Sequence, residues 1–343
     1  MNAIEAMQTE IEYQVQELPK LDLLSSSSSL PPPVNNCLFV GSGDSYIAGL
    51  AAQYYSGSHA ICCSPIDIIN NHLLVKKRNL FIVSISGNTQ ANILAAKIAK
   101  KHGVSTVSAL TARSSSRLAK SCGQTIELKY KNTGITTAGT ISFTASMIKC
   151  ISLSTKLIQL PSDLRKMYNL AEKQAKQAIS KIDDKNNNNN NNNNTTTSNG
   201  NNSTSYFILG NSKLHAIAMY GALKFNEVFG TKAMAYPVEE FCHSPLFSIK
   251  ETDQVIVLGG GERENEDGDE DYDNSRKLSK RLNEEGFSSV HVGSKHTGIE
   301  LLLQATFFIQ LFVLKLAQKY GLTSCYFLRN KKLLKISSDF IYH

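Results

Sequence analysis

No two of the seven cysteines, Cys37, Cys62, Cys63, Cys122, Cys150, Cys242 and Cys325, form a CxxC pair. Zinc ribbons and dithiol redox motifs are thereby excluded. An odd set of scattered thiols predicts a reduced, mostly buried complement in a cytoplasmic chain. The eight histidines include no HxxxH spacing. The acidic run Asp267–Ser275 lacks the glycine and closing-glutamate spacing of an EF-hand, so no metal site is expected. No clean apolar run reaches the roughly 20 residues of a membrane span. The longest, Leu301–Leu314, is interrupted by Gln304, Thr306 and Gln310 and predicts a buried helix. No basic-then-apolar leader opens the chain, because Met1–Pro19 is mixed and acidic. Zinc-finger spacing, RNP-like aromatic motifs and basic heptads are lacking too, so neither nucleic acid nor membrane is an expected partner. Gly259-Gly260-Gly261-Glu262 is not GxGxxG, and neither a dinucleotide nor any other cofactor is expected.

What the chain does have begins at Phe81–Thr89, FIVSISGNT. An apolar β-type run ends in Ser86-Gly87-Asn88-Thr89, and a helical pattern (Ile93, Leu94, Ala96, Ile98, Ala99) follows at once. Free amides at a helix start, aided by the helix dipole, favour an anion. Ser84, Ser86 and Thr89 add hydroxyl donors, and Gly87 lets the backbone approach. The turn has no lysine and lacks P-loop spacing, which points to a monoester phosphate on a small molecule. An ordinary capped β–α turn accounts equally well for these residues alone. Charge agrees with an anionic ligand: net +7 overall, with Gly261–Ser275 holding eight acids and one arginine, so that 35 basic face 21 acidic residues elsewhere.

Length and a 41% hydrophobic composition allow one or two domains. Residues 1–34 predict an amphipathic helix and a Ser/Pro linker. Residues 35–185 alternate strands (Cys37–Val40, Ile61–Cys63, Leu80–Ile85, Ser105–Leu110, Thr125–Leu128) with helices (Tyr46–Tyr55, Ala91–His102), closing in helices Ser142–Leu160 and Leu164–Ile182. Residues 186–205, almost all Asn, Thr and Ser, predict a disordered linker. The pattern restarts over 206–343: strand Tyr206–Leu209, helix Lys213–Phe229, strand Val255–Leu258, a solvated acidic loop, helix Asn274–Glu285, strand Ser289–Val292 and helix Gly298–Tyr320. Alternation of this kind implies an α/β fold with mostly parallel sheets covered on both faces. LFVGSGDSYIAGLAAQYY and YFILGNSKLHAIAMYGAL share strand, Gly/Ser turn and small-residue helix, a weak internal repeat.

Those two turns, SISGNT, and Tyr220–Ile249 (YGALKFNEVFGTKAMAYPVEEFCHSPLFSI) together resemble sugar isomerase (SIS) domains. The likeness is greatest to the isomerase part of glutamine–fructose-6-phosphate aminotransferase. The tail, Arg329-Asn330 with Leu334-Lys335-Ile336-Ser337, is similar to that family's closing segment. The resemblance implies two SIS-type units. It also implies a sugar phosphate held by Ser45, Ser84, Ser86, Gly87 and Thr89, with Glu227 shuttling the proton between C1 and C2. His243, contributed by a partner subunit, would assist ring opening, and Lys335 would form a Schiff base with the open-chain ketose. A homodimer with shared active sites follows from the same resemblance. Asn226 replaces a family lysine, Ser244 replaces a family glycine, and two extra tail residues make Lys331 and Lys332 competitors of Lys335. The family's full enzyme starts with a glutaminase domain; here Met1-Asn2 leads only into a helix and linker, so glutamine is not the expected ammonia source.

Aldose–ketose interconversion needs a phosphate anchor, a base serving adjacent carbons, and an acid/base for the ring oxygen. Taken singly, Glu227 also reads as a helix glutamate paired with Lys224, His243 as a loop histidine beside Glu239 and Glu240, and Lys335 as a surface residue in a polar–apolar alternation. Their joint occurrence in family order predicts isomerisation of a hexose or hexosamine 6-phosphate, with amination or deamination open. The alternatives are a phosphoglucose/phosphomannose isomerase and a non-catalytic sugar-phosphate-binding regulator.

Overall fold

Cys37–Val40 (β1) is buried along its whole length. That is the signature of a central parallel strand covered on both faces. The computed structural model describes residues 1–23, 36–104, 106–155, 158–192, 204–260 and 274–342. It divides the chain into two units, Met1–Leu160 with Phe327–His343, and Pro161–Tyr326.

The first unit opens with helix α1 (Ala3–Glu17). Asn2 and Glu5 form its reciprocal capping box, and it buries Ile4, Met7 and Ile11. After β1 come α2 (Asp44–Ser56), β2 (Ala60–Cys63), α3 (Pro65–Asn70), β3 (Asn79–Val83), α4 (Gln90–Lys101), β4 (Val107–Thr111), α5 (Arg117–Ser121), β5 (Gln124–Glu127) and α6 (Ile141–Ser154). The sheet is parallel in the order β2-β1-β3-β4-β5. Leu38, Val40, Leu80, Ile82, Val107 and Ala109 point to one face, against α3, α4 and α5. The other face meets α2 and α6, where Phe39 and Phe81 stack at 5.5 Å.

The second unit holds α7 (Leu164–Asn192), β6 (Tyr206–Gly210), α8 (Lys213–Phe229), β7 (Ala233–Tyr236), α9 (Val238–His243), β8 (Gln254–Gly259), α10 (Ser275–Glu284), β9 (Ser288–Gly293) and α11 (Gly298–Lys319). Its sheet is parallel in the order β7-β6-β8-β9. Phe207, Leu209, Val255 and Val257 pack on α9 and α10, while α8 and α11 cover the opposite face. Among the described residues α11 is the one helix long and apolar enough to cross a membrane, and 89% of its most apolar window is buried in the fold. Two short helices follow, α12 (Tyr326–Arg329) and α13 (Lys331–Tyr342). The latter belongs to the first unit, where it contacts α4.

Several elements depart from expectation. Residues 186–192 continue α7 instead of forming a linker. No glycine or proline interrupts the Asn run, and extending an existing helix is far easier than nucleating one. The rest of that tract from 193 to 203, and the acidic loop from 261 to 273, lie outside the described residues. α7 packs on α11 and falls in the second unit, although the sequence placed it at the close of the first half. The polar connection before β3 contains α3, started by a Ser64–Asp67 capping box with Pro65 at its first position. β7 went unread, and the apolar stretch after His243 is a 3₁₀ turn over Pro245–Ser248. Lys335 lies on a helix, not on a polar–apolar alternation.

All seven cysteines are free thiols; Cys37, Cys150 and Cys325 are buried and the other four half-buried. Burial pushes the Cys63 thiol up to about 12 and that of Cys122 to about 11. In the second unit Phe312 is fully buried against the rings of Phe225 and Phe308. Phe312→Ala is expected to lower unfolding free energy by about 3–5 kcal/mol, read by urea or thermal denaturation.

Candidate functional site

In the first sheet, β1 leads through α2 to β2 on one side, and the chain then crosses to β3 on the other side of β1. The strand order therefore reverses between β1 and β3. In an open parallel sheet this leaves a crevice at the carboxyl ends of the two strands, the usual ligand position. The two turns singled out in the sequence flank that crevice, since Val40 pairs with Ile82 one residue from the end of β3.

The turn after β1 is tight. A Cβ at Gly41 would lie 2.7 Å from the Ser45 backbone, and Gly43 takes φ +55. Ser45 enters α2 half-exposed, its amide donating to the Ser42 carbonyl at 3.2 Å. The turn after β3 is pinned from several sides. The Ser84 amide donates to the Leu110 carbonyl at 2.9 Å, and the Gly87 amide to the Ser84 carbonyl at 3.1 Å. The Ser84 and Thr89 hydroxyls lie 3.5 Å apart, and the Ser86 hydroxyl accepts from the Asn88 amide at 3.3 Å. Thr89 is the N-cap of α4 but makes no side-chain capping bond, which leaves the first-turn amides of this 12-residue helix without an acceptor from their cap. Ser45, Ser84, Ser86, Gly87 and Thr89 thus gather at one edge of one sheet.

Several neighbours of this crevice escaped sequence reading. Thr111 donates its hydroxyl to the Ile85 carbonyl at 3.1 Å, and the Asn92 amide nitrogen donates to the Val83 carbonyl at 3.3 Å. Arg117 bonds Gln90 at 2.8 Å through its guanidinium. Gly139 lies so near Asp44 that a Cβ there would stand 2.7 Å from the Asp44 carboxylate. The signal available for the last contact was the hydroxyl- and glycine-rich stretch Thr136–Thr140 ahead of a helix.

Glu227 and His243 belong to the second unit, on α8 and α9. Glu227 pairs with Lys224 at 2.6 Å. The pair is not a solvated one: the Lys224 side chain has 0% exposure against 34% for Glu227, and its ammonium stands 5.1 Å from the centre of the Tyr220 ring. Asn226, in place of the family lysine, accepts from the Ala233 amide at 3.0 Å and so fastens the turn into β7. Asn211, in the turn after β6, accepts from the Val238 amide at 2.9 Å and thereby holds the start of α9. His243 is exposed at the far end of that helix, 3.6 Å from Glu239. Lys335 is exposed on α13 and lies 3.8 Å from Asp339. Lys331 and Lys332 open the same helix and are exposed as well. Among the described residues no group of three or more His, Cys, Asp or Glu is placed to hold a metal ion.

No protein-family model matches the chain. Glutamine–fructose-6-phosphate aminotransferase of Buchnera aphidicola is 27% identical over 242 residues, covering 69% of this chain and 39% of that protein. The chain spans about two fifths of the length of the curated relatives it matches (39% and 40%). A glucosamine-6-phosphate deaminase structure from Thermotoga maritima superposes with a TM-score of 0.69 at 19% identity, covering 93% of this chain and 96% of that one. The tagatose-6-phosphate ketose/aldose isomerase of Escherichia coli gives 0.68 at 16% identity, covering 93% of both chains. The structural likenesses show the fold. Together with the curated relatives they establish the resemblance carried by the motifs: the chain is similar to the isomerase part of the aminotransferases and to SIS phosphosugar isomerases.

Two outcomes follow from this geometry. Gly87 has φ +62, and a Cβ there would meet the Ser116 hydroxyl at 2.1 Å. Gly87→Ala is expected to distort the turn and lower unfolding free energy by roughly 1–3 kcal/mol, measured by chemical denaturation. The unequal burial of Lys224 and Glu227 sets an order of stability. Glu227→Leu removes a counter-charge of a fully buried ammonium and should destabilise more than Lys224→Met, which leaves a partly exposed carboxylate that can turn to water; chemical denaturation of both variants gives the ranking.

Proposed function

We propose that this protein binds a hexose or hexosamine 6-phosphate and interconverts its aldose and ketose forms. The observation that carries the reading is the hydroxyl-rich Ser84–Thr89 turn at the β1/β3 reversal, opening onto an uncapped helix start beside Ser45. Hydroxyls, amides and a helix dipole without a lysine suit a monoester phosphate, which then fixes the register of the sugar.

In this reading Glu227 removes the proton from the carbon next to the carbonyl and returns it to the adjacent carbon, with the Lys224 ammonium compensating its charge. His243 serves the ring oxygen during opening, and Lys335, with Lys331 and Lys332 as its competitors, supplies the amine that condenses with the open-chain ketose. The roles of these three residues come from the family resemblance. The chain also reads as two homologous SIS-type units. Supporting that, Gly43 and Ser212 share an unusual backbone (φ 55, ψ −130 and φ 51, ψ −126) ahead of α2 and α8. A Cβ at Gly41 or at Gly210 would likewise meet the backbone four residues on at 2.7 Å. A cytoplasmic homodimer with shared active sites belongs to the same proposal.

The test is product identification after incubation with fructose, glucose, mannose and glucosamine 6-phosphates, with and without ammonia. Isomerised or deaminated product is expected, and Glu227→Gln should abolish turnover while retaining phosphate-ester binding. Tight binding with no product from any of the four sugars would leave a regulator; loss of binding in Glu227→Gln would remove its assigned role.

A further inference from the structure

We propose that Glu10, on the N-terminal helix α1, is a positioning residue for the phosphate crevice, acting through a strap formed by residues 129–140. This rests on the functional reading above and extends it to a helix outside the sheet.

β5 is the edge strand of the first sheet, and α6 begins beside the turn that follows β1. The strap that joins them must therefore pass the carboxyl ends of β4 and β3, along the mouth of the crevice. It has no regular structure of its own, and several of its polar bonds run to α1. The Lys131 amide donates to Glu17 at 3.1 Å, and its ammonium lies 4.4 Å from the centre of the Tyr13 ring. The Thr137 hydroxyl donates to the Ala3 carbonyl at 3.0 Å. Glu10 binds at two places. One carboxylate oxygen accepts from the amide and hydroxyl of Thr133 at 3.1 and 2.9 Å, and the other from the Thr140 hydroxyl at 3.4 Å.

Two features mark Glu10 as more than a surface contact. It is 8% exposed, on a helix face shared with Ala6, Met7 and Ile11. A carboxylate there is costly unless hydrogen-bonded, and all three donors come from the strap. Thr140 is the N-cap residue of α6, yet its hydroxyl makes no cap bond to that helix and is turned to Glu10 instead. Glu10 thus sets the point at which the strap enters α6, the point that brings Gly139 against Asp44 in the Gly41–Ser45 turn.

The experiment compares full-length wild type with Glu10→Ala and Glu10→Gln. Amide exchange is expected to rise in Glu10→Ala at residues 130–140 and in the Gly41–Ser45 turn, with the sheet strands unchanged. Glu10→Gln keeps an acceptor for Thr133 and should rise less. KM or Kd for hexose 6-phosphate should increase roughly tenfold in Glu10→Ala, the scale of one lost charged hydrogen bond, and kcat should fall by a smaller factor. Exchange that is unchanged, or that rises evenly through the chain in both variants, overturns the proposal. So does a kcat loss with KM intact. The exchange measurement needs no ligand, so a wild type that binds no hexose phosphate defeats the functional reading while the strap is still judged.

Discussion

The reversal of strand order beside β1 is the constraint on which the other features depend. In a parallel sheet every β–α turn leaves from the same edge, and most neighbouring turns are roofed by the helix that joins them. Between β1 and β3 the chain departs to opposite sides, so the edge stays open. Ser45 and the Ser84–Thr89 turn flank that opening. The second sheet repeats the arrangement, with β6 between β7 and β8 and a turn of matching backbone after β6.

Polar groups are distributed unevenly over this frame. In the first unit the Ser84–Thr89 turn carries hydroxyls and no lysine. In the second, the partner of Glu227, Lys224, has no exposure to water. A buried ammonium resists reorganisation, so the carboxylate beside it is held on one side of α8 while its other side remains accessible. Asn211, in the turn after β6, and Asn226, in the last turn of α8, are polar residues spent on geometry: one holds α9, the other the entry to β7. The structures whose names describe hexose-phosphate chemistry share the fold at low identity; Glu227 and His243 stand on the regular elements α8 and α9.

Much of the architecture was legible beforehand because it rests on local signals. Apolar runs such as CLFV and LFIV, each followed by a glycine- or serine-bearing turn and a helical period, can form little other than buried parallel strands with crossover helices. Where local signals were thin the reading failed. β7, at the sheet edge, is half-exposed and short, and α3 is a six-residue helix announced only by its cap. The alternation around Lys335 misled because a helix with apolar residues on two sides, Leu333, Ile336 and Phe340 exposed and Leu334 half-buried, mimics a strand over a few residues.

The amino-acid order by itself determined the α/β class, the hydroxyl-bearing turn after β3, the order of the candidate residues and the family they resemble, since each is written in contiguous residues whose backbone preferences and donors act locally. Only the tertiary structure decided that β3 crosses to the far side of β1, that α7 joins the second unit, that Lys224 is sealed from water, and that Glu10 reaches Thr133 and Thr140 more than a hundred residues away. These depend on which surfaces bury one another, and burial is a property of the whole packed chain that no short segment carries.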